Sequence, residues 1–204
     1  MRENPLSYKV FHRRNLPHIQ PVDGILFVTY RLYFPLPMKY RNNYSRAKKN
    51  FHEYFFDYDK YLDMCKLGPK WLYKADIGQI VFDNLLKMNQ VQYELFCFCI
   101  MPNHVHVLMK PKPEIDQLPF SIAKIMHGHK GVTSKKINNL LNRKGHFWQS
   151  EYYDHYVRNN DEFYNIAWYI INNPVKAKLV SKIKNWKFTW IEKQLEYELG
   201  LDLL

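Results

Sequence analysis

Apolar and polar positions divide the chain into segments of recognisable period. "ILFVTYRL" (Ile25–Leu32) is a β-branched and aromatic run and predicts a strand. "ADIGQIVFDNLLKM" (Ala75–Met88) sets Ile77, Ile80, Val81, Leu85 and Met88 near helical spacing. Val91–Ile100 predicts a second strand; "MPN" breaks it, and His104–Lys110 predicts a third, so the two form a hairpin. Phe120–Leu141 reads as a long basic helix interrupted at Gly128 and Gly131. His146–Arg158 predicts a fourth strand with an irregular approach. Asn159–Pro174 reads as a helix that Asn159 or Asn160 caps. Asp161 and Glu162 complement its positive end, and Pro174 stops it. The order β-α-β-β-α-β followed by a helix predicts an α+β fold with a ferredoxin-like, split βαβ antiparallel sheet.

Outside this pattern lie a basic arm (1–23), an insertion (33–75) and a C-terminal extension (181–204), all assigned to one domain of 204 residues. The insertion is rich in Tyr, Lys, Arg and Asn, has no clean period, and reads as partly helical over 45–63. Composition is that of a soluble globular chain, 47% hydrophobic and 24% charged. The net charge of +11 favours a polyanionic partner, nucleic acid before an anionic membrane. No apolar run approaches the roughly 20 residues of a membrane helix. The start has no apolar signal segment, and the three cysteines are an odd number. A cytoplasmic, nucleoid-associated protein without a disulfide framework is expected.

Two histidines one residue apart on a strand point to the same face. His104 and His106 can therefore converge on one ion, but two imidazoles are a partial shell. Cys97 and Cys99 share a face of the adjoining strand. A Pro102-Asn103 turn would put Cys99 opposite His106 and allow a zinc hairpin of two Cys and two His; one more turn residue would put Phe98 there. Register decides, and the sequence leaves it open. Plain core thiols are the more ordinary use of such cysteines. On the last long helix, Phe163, Ile166, Ala167 and Ile170 form the apolar stripe. Tyr169 sits at its edge, with Asn173 one turn further on the same side. A phenol has a pKa of about 10 and attacks poorly at neutral pH. Beside a divalent cation that polarises a phosphodiester it can attack phosphorus. Two histidines and one amide oxygen would make the metal shell.

"FCIMPNHVHVLMKP", "KGVTSKKINNLLNRKGHFWQSEYYDHYVRN" and "WYIINNPVKAKLV", in this order, resemble the REP-associated tyrosine transposases, a single-tyrosine branch of the HUH nucleases. "LPHIQPVDGILFVTYRL" and "FDYDKYLD…WLYKADIGQIVFDNLL" are also similar to that family's amino-terminal half. The resemblance implies an HUH nuclease fold that cuts single-stranded DNA beside a small hairpin. It implies that His104, His106 and Asn173 hold Mg²⁺ or Mn²⁺. It also implies that Tyr169 forms a covalent 5′-phosphotyrosine and frees a 3′-hydroxyl. Tyr164 and the pair Tyr152-Tyr153 are the nearest competing phenols. For the DNA, the expected contacts are Lys124, Lys130, Lys135 and Lys136 on the long helix, Arg143 and Lys144 after it, and Arg13 and Arg14 in the arm. Phe147, Trp148, Tyr152 and Tyr153 are candidates for base stacking, the first two being more ordinary as core. The competing readings are a non-catalytic nucleic-acid-binding module and a structural zinc hairpin. A homodimer, in which the tyrosine helix serves the partner's histidines, stays open.

Overall fold

The computed structural model describes residues 9–13, 17–35, 62, 63, 65, 68–115 and 118–201. Strands β1 (Lys9–Arg13) and β2 (Pro17–Pro21) pair as an antiparallel hairpin within the arm. The main sheet is built from β3 (Leu26–Arg31), β4 (Tyr93–Ile100), β5 (His104–Pro111), β8 (Tyr153–Tyr156) and β9 (Thr189–Ile191). Between them lie the short ribbon β6 (Pro113–Ile115) and β7 (Leu118–Pro119). The sheet order is β8-β3-β5-β4-β9, antiparallel throughout. Its first four strands have the ferredoxin-like arrangement expected from the apolar pattern. Strand β9, from the "NWKFTW" stretch, extends the sheet beyond β4 and was not anticipated.

Helices α1 (Ala75–Met88), α2 (Ile122–Leu140) and α3 (Asn160–Lys176) cover the sheet, and a short α4 (Lys193–Glu198) follows. Side chains alternate along a strand, so β3 sorts them between two layers. Tyr30 turns toward α2, where its ring meets His129 at 5.3 Å. Phe27 turns the other way and meets Tyr169 of α3 edge-on at 6.1 Å. On β4 a register shift between Leu95 and Cys97 leaves Phe96 as an extra residue. Phe96 consequently packs on Phe163 of α3 (5.1 Å) and Phe98 on Phe82 of α1 (5.0 Å). Phe98 is fully buried, and a side chain of that size contributes about 1.5–3 kcal/mol on burial.

The layer under α2 contains a satisfied polar chain. The Asn84 carbonyl oxygen accepts from His129 Nδ1 (2.7 Å), so Nε2 accepts from the Tyr30 hydroxyl (2.7 Å). Burial pushes His129 down to about 3, which keeps it neutral. Gln20 ties the arm to α2: its amide oxygen accepts from the Ile122 N–H (2.7 Å) and its amide nitrogen donates to the Phe120 carbonyl (2.8 Å). One free helix donor is thereby satisfied.

Two expectations about helices are corrected. Gly128 and Gly131 do not interrupt α2, which runs unbroken through both because its buried stripe, including Ile125, Met126, His129, Thr133 and Ile137, is continuous. Pro174 does not stop α3, which continues to Lys176. The proline removes one donor, yet the Pro174 carbonyl accepts from Leu179 and the Asn173 carbonyl from Ala177, completing the end. The partly helical reading of 45–63 lies outside the described residues except for Leu62 and Asp63.

Glycines provide an opposed pair of predictions. A Cβ on Gly78 of α1 would stand 2.5 Å from Phe188 and 2.8 Å from the Leu72 carbonyl oxygen. A Cβ on Gly131 would meet nothing within 4 Å. Gly78→Ala is expected to destabilise by about 1–3 kcal/mol through overpacking. Gly131→Ala is expected to stabilise by about 0.5–1 kcal/mol. Urea midpoints of the two variants against the parent measure both, and equal signs would contradict the packing described.

Candidate functional site

The site lies on the α3 side of the sheet. Strand register pairs Thr29 with His106 and Arg31 with His104 across β3 and β5. The tight Pro102-Asn103 turn bonds Met101 to His104 and sets Cys99 opposite His106. Both imidazoles are fully buried. Their Nε2 atoms are 2.9 Å apart, and Asp63 Oδ1 lies 3.2 Å from each. The other carboxylate oxygen, Oδ2, accepts a 2.7 Å hydrogen bond from the Tyr169 hydroxyl. The Tyr169 ring stands edge-on to His106 at 5.6 Å, and Lys176 Nζ lies 5.0 Å from its centroid. Two histidines from a strand, an aspartate from the 33–75 segment and a phenol from α3 therefore meet within a single chain.

Partners outside the cluster orient the rings. His104 Nδ1 faces the Asn103 amide oxygen at 2.7 Å, so Nδ1 carries the hydrogen and Nε2 turns a lone pair inward. His106 Nδ1 bonds Thr29 Oγ1 at 2.8 Å. Burial, then the charge of His106, pushes His104 down to about 4, against the pull of Asp63. Burial would raise the Asp63 carboxyl, but hydrogen bonds and charge from His104 and His106 outweigh it and hold it well below the usual carboxylate range.

This donor set fits a divalent cation. Lone pairs facing one another at such separations repel unless a proton or cation lies among them. Metal–ligand bonds of about 2.1 Å at right angles space ligand atoms by about 3 Å, as these three are spaced. Among the described residues, Asp63, His104 and His106 are the group of His, Cys, Asp and Glu that could hold a metal. Asn173, the amide expected as third ligand, is fully buried, and neither its oxygen nor its nitrogen has a hydrogen-bond partner. Such an orphan is costly unless a bound ion, water or ligand satisfies it.

The cysteines do not join this cluster. The register is the one that would favour a zinc hairpin, yet Cys99 accepts a 3.5 Å contact from Thr189 Oγ1. Burial pushes the Cys99 thiol up to about 12, and burial likewise raises Cys97. Among the described residues, the group placed to hold a metal contains neither cysteine. Both behave as core.

The expected DNA-binding residues are not gathered together. Lys124 pairs with Glu114. Lys130 donates to the carbonyls of Gln149, Ser150 and Glu151 at 3.0–3.2 Å, bracing that loop. Arg143 bonds the His146 carbonyl and lies 4.3 Å from the Trp71 ring centroid. Lys135, Lys136 and Lys144 are exposed. Arg13 ends β1, and its side chain and Arg14 lie outside the described residues. Phe147 and Trp148 are core, at 1% and 4% exposure. A cavity of about 460 Å³ opens between α2 and the segment 145–152, across the sheet from the histidines. No helix of the described residues is long and apolar enough to cross a membrane.

Sequence reasoning missed Asp63 and Lys176. Lys176 had a signal, since Tyr169, Asn173 and Lys176 follow helical spacing along α3. Asp63 had none, because it lies in the segment without a period.

A family model described as IS200-like transposase matches residues 78–173. A Haemophilus influenzae protein named as a REP-associated tyrosine transposase is 26% identical over 112 residues, 52% of this chain and 64% of that protein. The match thus spans just under two thirds of the relative's length. The structure of a REP-associated tyrosine transposase bound to a REP hairpin superposes with a TM-score of 0.54 at 18% identity, covering 94% of this chain and 86% of that one. The family match encloses His104, His106, Tyr169 and Asn173 while leaving Asp63 outside it, so over residues 78–173 the chain is similar to the IS200-like transposases.

Proposed function

We propose that this protein is a metal-dependent strand transferase that nicks single-stranded DNA beside a hairpin through a covalent 5′-phosphotyrosine at Tyr169. The observation that supports this best is the reach of one carboxylate: the Tyr169 hydroxyl is 2.7 Å from Asp63, whose other oxygen is 3.2 Å from both imidazoles. A single chain thus assembles nucleophile and metal ligands. His104, His106 and Asp63 would hold Mg²⁺ or Mn²⁺, with the orphaned Asn173 amide as a further ligand. Nitrogen donors make Mn²⁺ at least as suitable as Mg²⁺. A cation there supplies charge stabilisation to the phosphodiester. Tyr169 Oη bonds to phosphorus, the bond from phosphorus to the 3′-oxygen breaks, and the phenol's proton is balanced by the 3′-hydroxyl released. Lys176 is placed to attract the phosphate. The exposed Lys135, Lys136 and Lys144 add basic surface for the DNA. The intact polar constellation argues against a non-catalytic binding module.

The test uses purified full-length chain with Mn²⁺ or Mg²⁺ and a pool of end-labelled hairpin oligonucleotides with randomised single-stranded flanks. A nicked product and a protein–DNA adduct that survives SDS are expected, both lost on adding EDTA. Absence of any adduct across the pool with both metals would overturn the proposal.

A further inference from the structure

Asp63 uses its two oxygens differently. Oδ1 faces both imidazoles at 3.2 Å, and Oδ2 accepts from the Tyr169 hydroxyl at 2.7 Å. The local backbone holds it there. Leu62 and Cys65 flank it with 2% and 3% exposure, and the Cys65 N–H bonds the Leu62 carbonyl at 2.8 Å. Cys65 Sγ lies 3.6 Å from Asn103 Oδ1, the same oxygen that accepts from His104 Nδ1. One short turn from the 33–75 segment therefore touches the site twice, once at an imidazole's orienting partner and once between imidazoles and phenol.

We infer that Asp63 is a positioning residue that joins the divalent cation to the nucleophile, ligating through Oδ1 while Oδ2 fixes the direction of the Tyr169 O–H. This rests on the nuclease reading above. It gives the 33–75 insertion a role: it delivers to the His pair a carboxylate that lies outside the family-matched segment. Ring packing between the phenol on α3 and the imidazoles on β5 sets distance loosely and does not direct the hydroxyl, whereas the Asp63 carboxylate does both.

Three variants separate the two tasks. Asp63→Asn keeps an oxygen that can accept from Tyr169 but is a weaker, neutral ligand. Asp63→Ala loses both functions. Asp63→Glu keeps the charge on a longer arm. Mn²⁺ affinity is measured without DNA by electron paramagnetic resonance, and the single-turnover adduct rate on a hairpin substrate at saturating Mn²⁺. Circular dichroism confirms folding, and Asn with Glu suffice if Ala does not fold. Asp63→Asn should bind Mn²⁺ about 10–100-fold more weakly yet recover most of the rate at saturating Mn²⁺. Asp63→Ala should stay at least about 10-fold slow however much metal is added. Asp63→Glu should bind Mn²⁺ more tightly than Asn while remaining slower at saturation. Unchanged Mn²⁺ affinity in Asp63→Asn would overturn the ligand role. Equal saturated rates for Asn and Ala, or for Asn and Glu if Ala is lost, would overturn the positioning role. The parent protein's own adduct decides the nuclease reading separately.

Discussion

Replacing Tyr169 with phenylalanine is expected to abolish covalent capture of DNA, lowering adduct formation by at least about 10⁴-fold while hairpin binding changes little. The substitution removes one oxygen and leaves the ring. The edge-on contacts with Phe27 and His106 and the Lys176 cation over the face all persist. What is lost is the hydrogen bond to Asp63, worth about 1.5–3 kcal/mol for a charged acceptor. Asp63 keeps both imidazoles, so the fold should survive. Tyr164 and Tyr153 are the informative controls. The Tyr164 hydroxyl donates to Glu198 on α4, away from the histidines. Tyr153 pairs with Thr29 across the sheet, on the site's own face, but its ring rests against Phe27 at 6.4 Å. Both should retain the adduct as phenylalanine variants. Denaturing gels of labelled hairpin measure all three, and a wild-type adduct yield from Tyr169→Phe would place the nucleophile elsewhere.

His106→Ala should reduce Mn²⁺ affinity by more than about 100-fold, beyond the 10–100-fold typical of losing an outer hydrogen-bond partner. It removes an inward lone pair and leaves Asp63 facing a gap where a fully buried imidazole stood. Thr29→Val is the graded comparison. It removes the oxygen 2.8 Å from His106 Nδ1 but no ligand, so its loss should fall inside the 10–100-fold range. Metal should also stabilise the parent, by about 2.7 kcal/mol at a hundredfold excess over the dissociation constant. That gain should vanish in His106→Ala. Calorimetric titration and thermal melts with and without Mn²⁺ read both effects. A parent-like metal-induced shift in His106→Ala would show that the cation is held elsewhere.

Local periodicity carried most of the fold. The strands around Val28, Phe98 and Val107 were legible as apolar, β-branched and aromatic runs of strand length, largely buried on both faces, and the three long helices because each buries one side at its own period. The strand order followed from their succession. His104 and His106 were legible as a pair because a strand repeats every two residues, whereas Tyr169, one of 16 tyrosines, was singled out by the family resemblance and not by helical period. Asp63 was not, since it meets its partners 41, 43 and 106 residues away and nothing in its neighbourhood repeats. The roles of Lys124 and Lys130 were hidden for a related reason. A lysine's charge is visible in sequence, but whether Glu114 or a row of carbonyls already occupies it depends on loops that composition does not place. Pro174 misled because a proline near a helix end costs one hydrogen bond rather than the whole turn.

Among the described residues, a single phenol reaches the imidazoles. On the proposed chemistry this sets a stoichiometry: each molecule can retain one DNA end at a time. It stays occupied until a 3′-hydroxyl reclaims that end. Exchanging two ends then requires either two molecules acting together or successive rounds in which the liberated strand is swapped for another before resealing.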